Sequence, residues 1–204
     1  MALVVYKLGG SLLSLDDLAA RLRLLLRERP EDRALIVVGG GSAADVVRGW
    51  SVTHALTESE AHWLAVRSLS LNRALVRHLL PESREVSSRA EALPKDDSHV
   101  PLLLDVEACL RMAEHEQRCP LPKCWNVTTD SIAAWIAHDW AAAELVLLKS
   151  VGLPSELAVS EAAARGLVDS HFPLVAPNLP RVCWCNLREA APQILPWCGE
   201  PPVG

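Results

Sequence analysis

Leu3-Val4-Val5-Tyr6-Lys7-Leu8-Gly9-Gly10-Ser11 and, further along, Leu35-Ile36-Val37-Val38-Gly39-Gly40-Gly41-Ser42 are the two stretches on which the rest of this chain is read. Each starts as an apolar run of strand length, too continuous to be buried on one face only, and each breaks into glycines. A residue without Cβ lets the backbone turn sharply and approach a ligand closely. Two such turns side by side offer several N–H groups to one anion. Between them Leu15, Leu18, Leu22, Leu25 and Leu26 recur at helical spacing behind a Ser14 and Asp17 capping pair, and Pro30 stops the helix. Strand, helix and strand in so short a span make a βαβ unit with parallel strands.

Working outward, Ser42 with Asp45 suggests a second capped helix, a short one ended by Gly49. Thr57 and Glu60 form a capping box for a long helix that carries Trp63, Leu64, Leu71, Leu75 and Leu79 and closes at Pro81. Residues 82–99 are polar and weakly periodic, and read as connections with a short strand or two, forming a substrate lid. Residues 100–104 predict a strand, and Asp105 opens a helix over 106–115. From Thr129 onward Ile132, Trp135, Ile136 and Trp140 mark a buried helical stripe. A third buried strand, 144–148, ends in Lys149-Ser150. A helix near 155–165 with Gly166 as its C-cap and a strand at 181–185 follow, and the Pro-rich tail reads as having no core value.

The chain has 204 residues, half of them apolar, which suits one substantial core and a single α/β domain. A net charge of -5 without any dense Lys/Arg block argues against nucleic acid as a partner. No run approaches the roughly 18 apolar residues of a membrane span. The N-terminus does not read as a signal peptide, so a cytoplasmic protein with no membrane partner is expected. The six cysteines lack a CxxC spacing and are read as free thiols rather than zinc ligands, so no metal-ligating set is assigned.

Three residues are placed to carry chemistry. Lys7 stands near the end of an apolar strand and just before the glycine turn. Its ammonium should emerge at the strand's C-terminal edge, where open α/β sheets bind ligands. Lys149 holds the corresponding place on another strand. Asp130, in the first turn of its helix, can orient both by charge-assisted hydrogen bonds. Two lysines, one carboxylate and two glycine nests suit phosphoryl transfer, which depends mostly on positioning and on neutralising charge. Neither GxxxxGK[ST] nor GxGxxG is present. Trp50, His54 and His62 fall where an acceptor could be lined, and are expected to be a packing tryptophan and surface histidines.

The Lys7-Leu8-Gly9-Gly10-Ser11 opening, the Gly39-Gly40-Gly41-Ser42 turn and Asn126-Val127-Thr128-Thr129-Asp130-Ser131-Ile132-Ala133-Ala134 before Leu147-Leu148-Lys149 together resemble the amino acid kinase superfamily. That superfamily includes acetylglutamate, uridylate, isopentenyl phosphate and aspartate kinases. The resemblance implies a three-layer α/β/α sandwich on a mainly parallel sheet, with an acceptor-side lobe over 1–125 and a shortened nucleotide-side lobe over 126–204. It implies Mg-ATP as donor, a small phosphorylated acceptor and assembly as a homo-oligomer. Lys7 would contact the transferring group, Lys149 the nucleotide phosphates, and Asp130 would organise the two. Gly9, Gly10, Ser11 and Ser150 would serve the phosphates, and Gly39, Gly40, Gly41, Asn126 and Ser131 the acceptor. Residues 125–133, 147–150 and 166–172 look most similar to the 5-(aminomethyl)-3-furanmethanol phosphate kinases of methanofuran biosynthesis. Uridylate or isopentenyl phosphate kinase activity, or a non-catalytic nucleotide- or oxyanion-binding subunit, are the alternatives. Ser150-Val151-Gly152-Leu153-Pro154 stands where larger members carry a longer nucleotide shelf.

Overall fold

Alternation along the first strand, β1 (Leu3–Leu8), sets the layers: Val4, Tyr6 and Leu8 pack into one core and Val5 into the other, which places Lys7 on the second face. The computed structural model describes residues 2–93, 100–154 and 156–199. After α1 (Leu18–Arg27) and β2 (Arg33–Val38) come α2 (Gly41–Thr53), α3 (Glu58–Leu79), β3 (Arg84–Val86), α4 (Arg89–Ala92), β4 (Leu102–Leu104) and α5 (Val106–His115). Then follow α6 (Thr129–Asp139), β5 (Glu144–Lys149), α7 (Val159–Ala164), α8 (Phe172–Val175), β6 (Arg181–Asn186) and β7 (Leu195–Gly199).

Among the described residues seven strands form one sheet in the order β3-β4-β2-β1-β5-β6-β7, parallel except for the β6–β7 edge pair. The chain leaves β1 toward β2 on one side, while β5 flanks β1 on the other. Their C-terminal ends therefore bound the crevice where open α/β sheets take ligands. Helices α5 and α6 cover one face with Leu69 and Val66 of α3; α1, Leu12 and Val76 cover the other. This is the expected three-layer α/β/α sandwich.

The Thr57 and Glu60 capping box forms, and Asp105 caps α5 through the Ala108 amide. Two other capping readings are corrected. Ser14 ends a 3-10 turn over Gly10–Ser14 and donates to the Ser11 carbonyl, while Asp17 pairs with Arg21. Ser42 lies inside α2, which begins at Gly41, and Asp45 pairs with Arg48. Gly49 does not end that helix, which continues to Thr53. On α3, Leu71 and Leu75 are exposed, and the buried stripe runs instead through Val66, Leu69, Asn72 and Val76.

Within the stretch read as a lid, residues 84–86 are β3 and 89–92 are α4, and residues 94–99 lie outside the described residues. The helix expected near 155–165 is α7, with Ser155 also outside them. The tail has core value after all. Trp197 on β7 stacks on the fully buried Phe172 ring at 5.9 Å, meets Trp184 edge-on at 5.4 Å, and donates its indole N–H to the Leu157 carbonyl. Aromatic area placed this way contributes about 0.5–1.5 kcal/mol per pair beyond its burial. Among the described residues, no helix is long and apolar enough to cross a membrane.

Candidate active site

Lys7 of β1 and Lys149 of β5 project from the same face because strand side chains alternate, and β1 pairs with β5 with Lys7 opposite Leu147, two residues before Lys149. Directly above that face lies the first turn of α6. The Lys7 ammonium is 2.9 Å from Asp130 Oδ1; the Lys149 ammonium donates to both Asp130 oxygens, at 2.8 and 2.9 Å, and to the Leu167 carbonyl at 2.7 Å. Asp130 is only 4% exposed and Lys7 6%. Burial would raise the Asp130 carboxyl, but attraction to Lys7 and Lys149 outweighs it and holds the group at about 2. Burial and the neighbouring Lys7 charge push the Lys149 ammonium down to about 8, against the pull of Asp130. Its Nζ also lies 5.4 Å from the centre of the buried Trp184 ring.

The two glycine turns touch. A Cβ on Gly10 would stand 2.0 Å from the Gly41 nitrogen, and one on Gly39 2.8 Å from the Gly10 nitrogen. Gly41 has φ +49°, the left-handed conformation that side chains disfavour. The amides of Gly9 and Gly39 are spent inside the sheet, donating to the Leu148 and Leu8 carbonyls at 2.9 and 2.8 Å. The amides at this corner that the sheet does not use are the first-turn amides of the 3-10 turn and of α2, which a helical start leaves without intrahelical partners. These come from Gly10, Ser11 and Gly41 onward. The Ser11 hydroxyl donates to Ser150 Oγ at 3.1 Å and so joins the ends of β1 and β5.

Asn126 and Ser131 take other positions. Asn126 is an exposed loop residue whose carbonyl accepts from the His171 amide at 3.2 Å. Ser131 is fully buried, and its hydroxyl is bonded to Asp169, so it anchors α6 rather than facing the cleft. Asp169 lies in the 166–172 stretch that carries part of the resemblance, which assigns it no role of its own. Its carboxylate accepts from the amides of Thr128, Ser131, His171 and Phe172 and from the Thr128 and Ser131 hydroxyls, capping α6 from outside its own segment. It thereby fixes the turn that carries Asp130. Asn72, not singled out from the sequence, donates from the buried face of α3 to the Gly39 and Gly40 carbonyls, both at 2.7 Å. A polar residue within the stripe Val66, Leu69, Val76 was the available signal.

A small cavity of about 60 Å³ opens beside the second glycine turn, with Gly40, Arg48, His62, Leu69, Trp125 and Thr129 among its walls. The Arg48 guanidinium lies 4.8 Å over the Trp125 ring. His62 is buried, against the expectation of a surface histidine, and burial with the Lys123 charge lowers its pKa. Trp50 is about half exposed and His54 is exposed, so neither lines this space. A larger cavity of about 500 Å³ is lined by Tyr6, Arg29 and Leu80 on the α1 side and by none of the cluster residues.

The sheet is mainly parallel, and two lysines meet on one carboxylate at its switch point. Residues 2–152 match the amino acid kinase family, and the chain belongs to it. It is similar in structure to uridylate kinase from Archaeoglobus fulgidus, at 16% identity over 90% of each chain with a TM-score of 0.60. It is also similar to UMP kinase from Ureaplasma parvum, at 14% identity over 92% of this chain and 91% of that one, TM-score 0.58. A further likeness, to aspartate kinase from Synechocystis, has 14% identity over 99% of this chain and 41% of that one, TM-score 0.64. At these identities the likeness is one of fold. No curated protein matches the chain.

Proposed function

We propose that this kinase transfers the γ-phosphoryl group of ATP to the phosphate of a small monoester, forming a diphosphate. The observation that carries this reading is the convergence of Lys7, Lys149 and Asp130 at the edge where the two glycine turns meet. In such a transfer an acceptor phosphate oxygen bonds to the γ-phosphorus as the bond to the β,γ-bridging oxygen breaks, and ADP leaves with that oxygen. Lys7 faces the transferring group and Lys149 the β- and γ-phosphates. Both ammonium groups are held in place by Asp130 before substrate arrives, which lowers the cost of reorganisation in the transition state. Both Asp130 oxygens are engaged by lysine. Magnesium therefore fits as an ion carried on the triphosphate, where it neutralises phosphate charge, rather than as an ion held by Asp130.

On this reading residues 1–125 serve the acceptor and 126–204 the nucleotide. The acceptor proposed is 5-(aminomethyl)-3-furanmethanol phosphate, supported by the motif resemblance of residues 125–133, 147–150 and 166–172. Uridylate and isopentenyl phosphate are the competing monoesters. Measuring ADP release with each of the three decides among them. The furan phosphate should give a kcat/KM at least tenfold above the others, and equal or faster turnover of either competitor removes the furan assignment.

The Lys149 ammonium sets a pH limit. Its pKa of about 8 means that the free enzyme loses this charge as pH rises through 8, whereas an ordinary lysine would keep it to about 10.5. The kcat/KM for ATP should fall tenfold per unit above that point, and Lys149→Arg should flatten the alkaline limb. Stability moves the other way. The unfolded chain keeps this proton up to 10.5, so between 8 and 10.5 the Lys149 contribution to stability rises with pH.

A further inference from the structure

The loop that follows β6 is built onto the nucleotide side of the cluster. The Leu187 amide donates to the Lys149 carbonyl at 2.9 Å. Arg21 on α1 donates from behind to the Leu187 and Glu189 carbonyls, at 3.0 and 2.5 Å. Within the loop, the Asn186 side chain accepts from the Arg188 amide at 3.2 Å and donates to the Glu189 carboxylate at 3.0 Å. These bonds aim Arg188 back across the end of β1. Its Nη2 donates to the Ser11 carbonyl at 3.2 Å and, more weakly, to the Ser14 hydroxyl at 3.4 Å. Ser11 in turn bonds Ser150, the residue after Lys149.

What sets Arg188 apart is its place. Arg21, Arg23, Arg29, Arg48 and Arg118 each pair with a carboxylate. Arg77, like Arg188, donates to backbone carbonyls and has no ion pair among the described residues, but its carbonyls are those of Leu80 and Pro81, away from the lysine cluster. Arg188 is held on Ser11, which follows the first glycine turn and bonds the neighbour of Lys149. An exposed guanidinium without a carboxylate partner, held on the Ser11 carbonyl at the end of β1 and next to the Ser11–Ser150 bond, is a fork suited to phosphate oxygens. The geometry points to Arg188 as a phosphate-binding residue of the nucleotide subsite: it engages the non-transferred phosphates of ATP and supplies, from the β6 loop, charge neutralisation that the short Ser150–Pro154 segment does not. The assignment rests on the kinase reading above.

The test is equilibrium binding of Mg-ATP and of inorganic tripolyphosphate to the wild-type chain, Arg188→Ala and Arg188→Lys, at two salt concentrations, with steady-state KM values for ATP and acceptor. Arg188→Ala should weaken both ligands about tenfold and lower the salt dependence of binding. Arg188→Lys should restore part of the loss, and the acceptor KM should not change. A merely structural tether to Ser11 would lower the melting temperature without altering the salt slope, and that result overturns the assignment. So does equal affinity in the wild type and Arg188→Ala. Loss of ATP affinity with tripolyphosphate affinity unchanged overturns the phosphate role as well. If the wild-type chain binds neither ligand, the kinase reading itself falls, and Arg188 with it.

Discussion

Replacing Asp130 by Asn is expected to cost both turnover and fold stability. The side chain keeps its shape but loses the charge that two buried ammonium groups share. Lys7 and Lys149 then face each other without compensation, and breaking a buried ion pair in this way costs about 3–5 kcal/mol. The kinetic loss is expected at about a hundred- to a thousandfold in kcat, because neither cation is held where phosphate charge develops. Denaturant unfolding and steady-state kinetics measure the two effects separately. Adding Lys7→Met to the Asn variant should recover part of the stability, since one of the stranded charges is gone, and none of the activity. Acid unfolding supplies a second check. The carboxyl sits at about 2 against an ordinary 3.8, so its stabilisation is complete above 3.8 and is lost as pH falls toward 2. The Asn variant should lack that acid limb.

Gly10→Ala is the second large effect. The new methyl would lie 2.0 Å from the Gly41 nitrogen and 2.4 Å from its Cα, so relief requires two backbone turns to separate. A cost of about 3 kcal/mol or more is expected. Any protein that folds should bind ATP poorly, because the first-turn amides no longer share one corner. Gly49→Ala is the matching control. A Cβ there meets nothing within 4 Å, and the position is inside α2, so a gain of up to about 1 kcal/mol is expected with kinetics unchanged. Thermal unfolding of the two variants should move in opposite directions.

The strands and the lysine cluster were legible in the sequence because their signals are local: β1, β2 and β5 are continuous apolar runs, and Lys7, Lys149 and Asp130 interrupt apolar or helix-starting patterns at defined places. The Thr57 box and the Asp105 cap were legible for the same reason. The Ser14 and Ser42 caps misread because a Ser and an acid three apart describe a helix start only when the intervening backbone permits it. Here the glycine turns start the 3-10 turn and α2 themselves, at Gly10 and Gly41. What was not legible is long-range. Asp169 caps a helix about forty residues earlier in the chain, Asn72 holds a turn about thirty residues earlier, and Trp197 fills a space left by Phe172 and Trp184. None of these partners is marked by spacing along the chain, so Asp169 is seen only as one position of the 166–172 stretch, with no partner to assign, and Trp197 reads as part of a tail.

Lys7, held on Asp130, is expected to be indispensable for moving a phosphoryl group onto another phosphate. Phosphorus NMR of the wild-type chain and Lys7→Ala with Mg-ATP and the monoester panel tests it most directly, with both proteins first shown to be folded at the assay temperature. Paired diphosphate resonances growing in step with ADP are expected for the wild type, with a rate lower by about a hundredfold or more for the variant. Equal product from both proteins, or no diphosphate on any acceptor from a wild-type chain that binds ATP, would contradict that expectation.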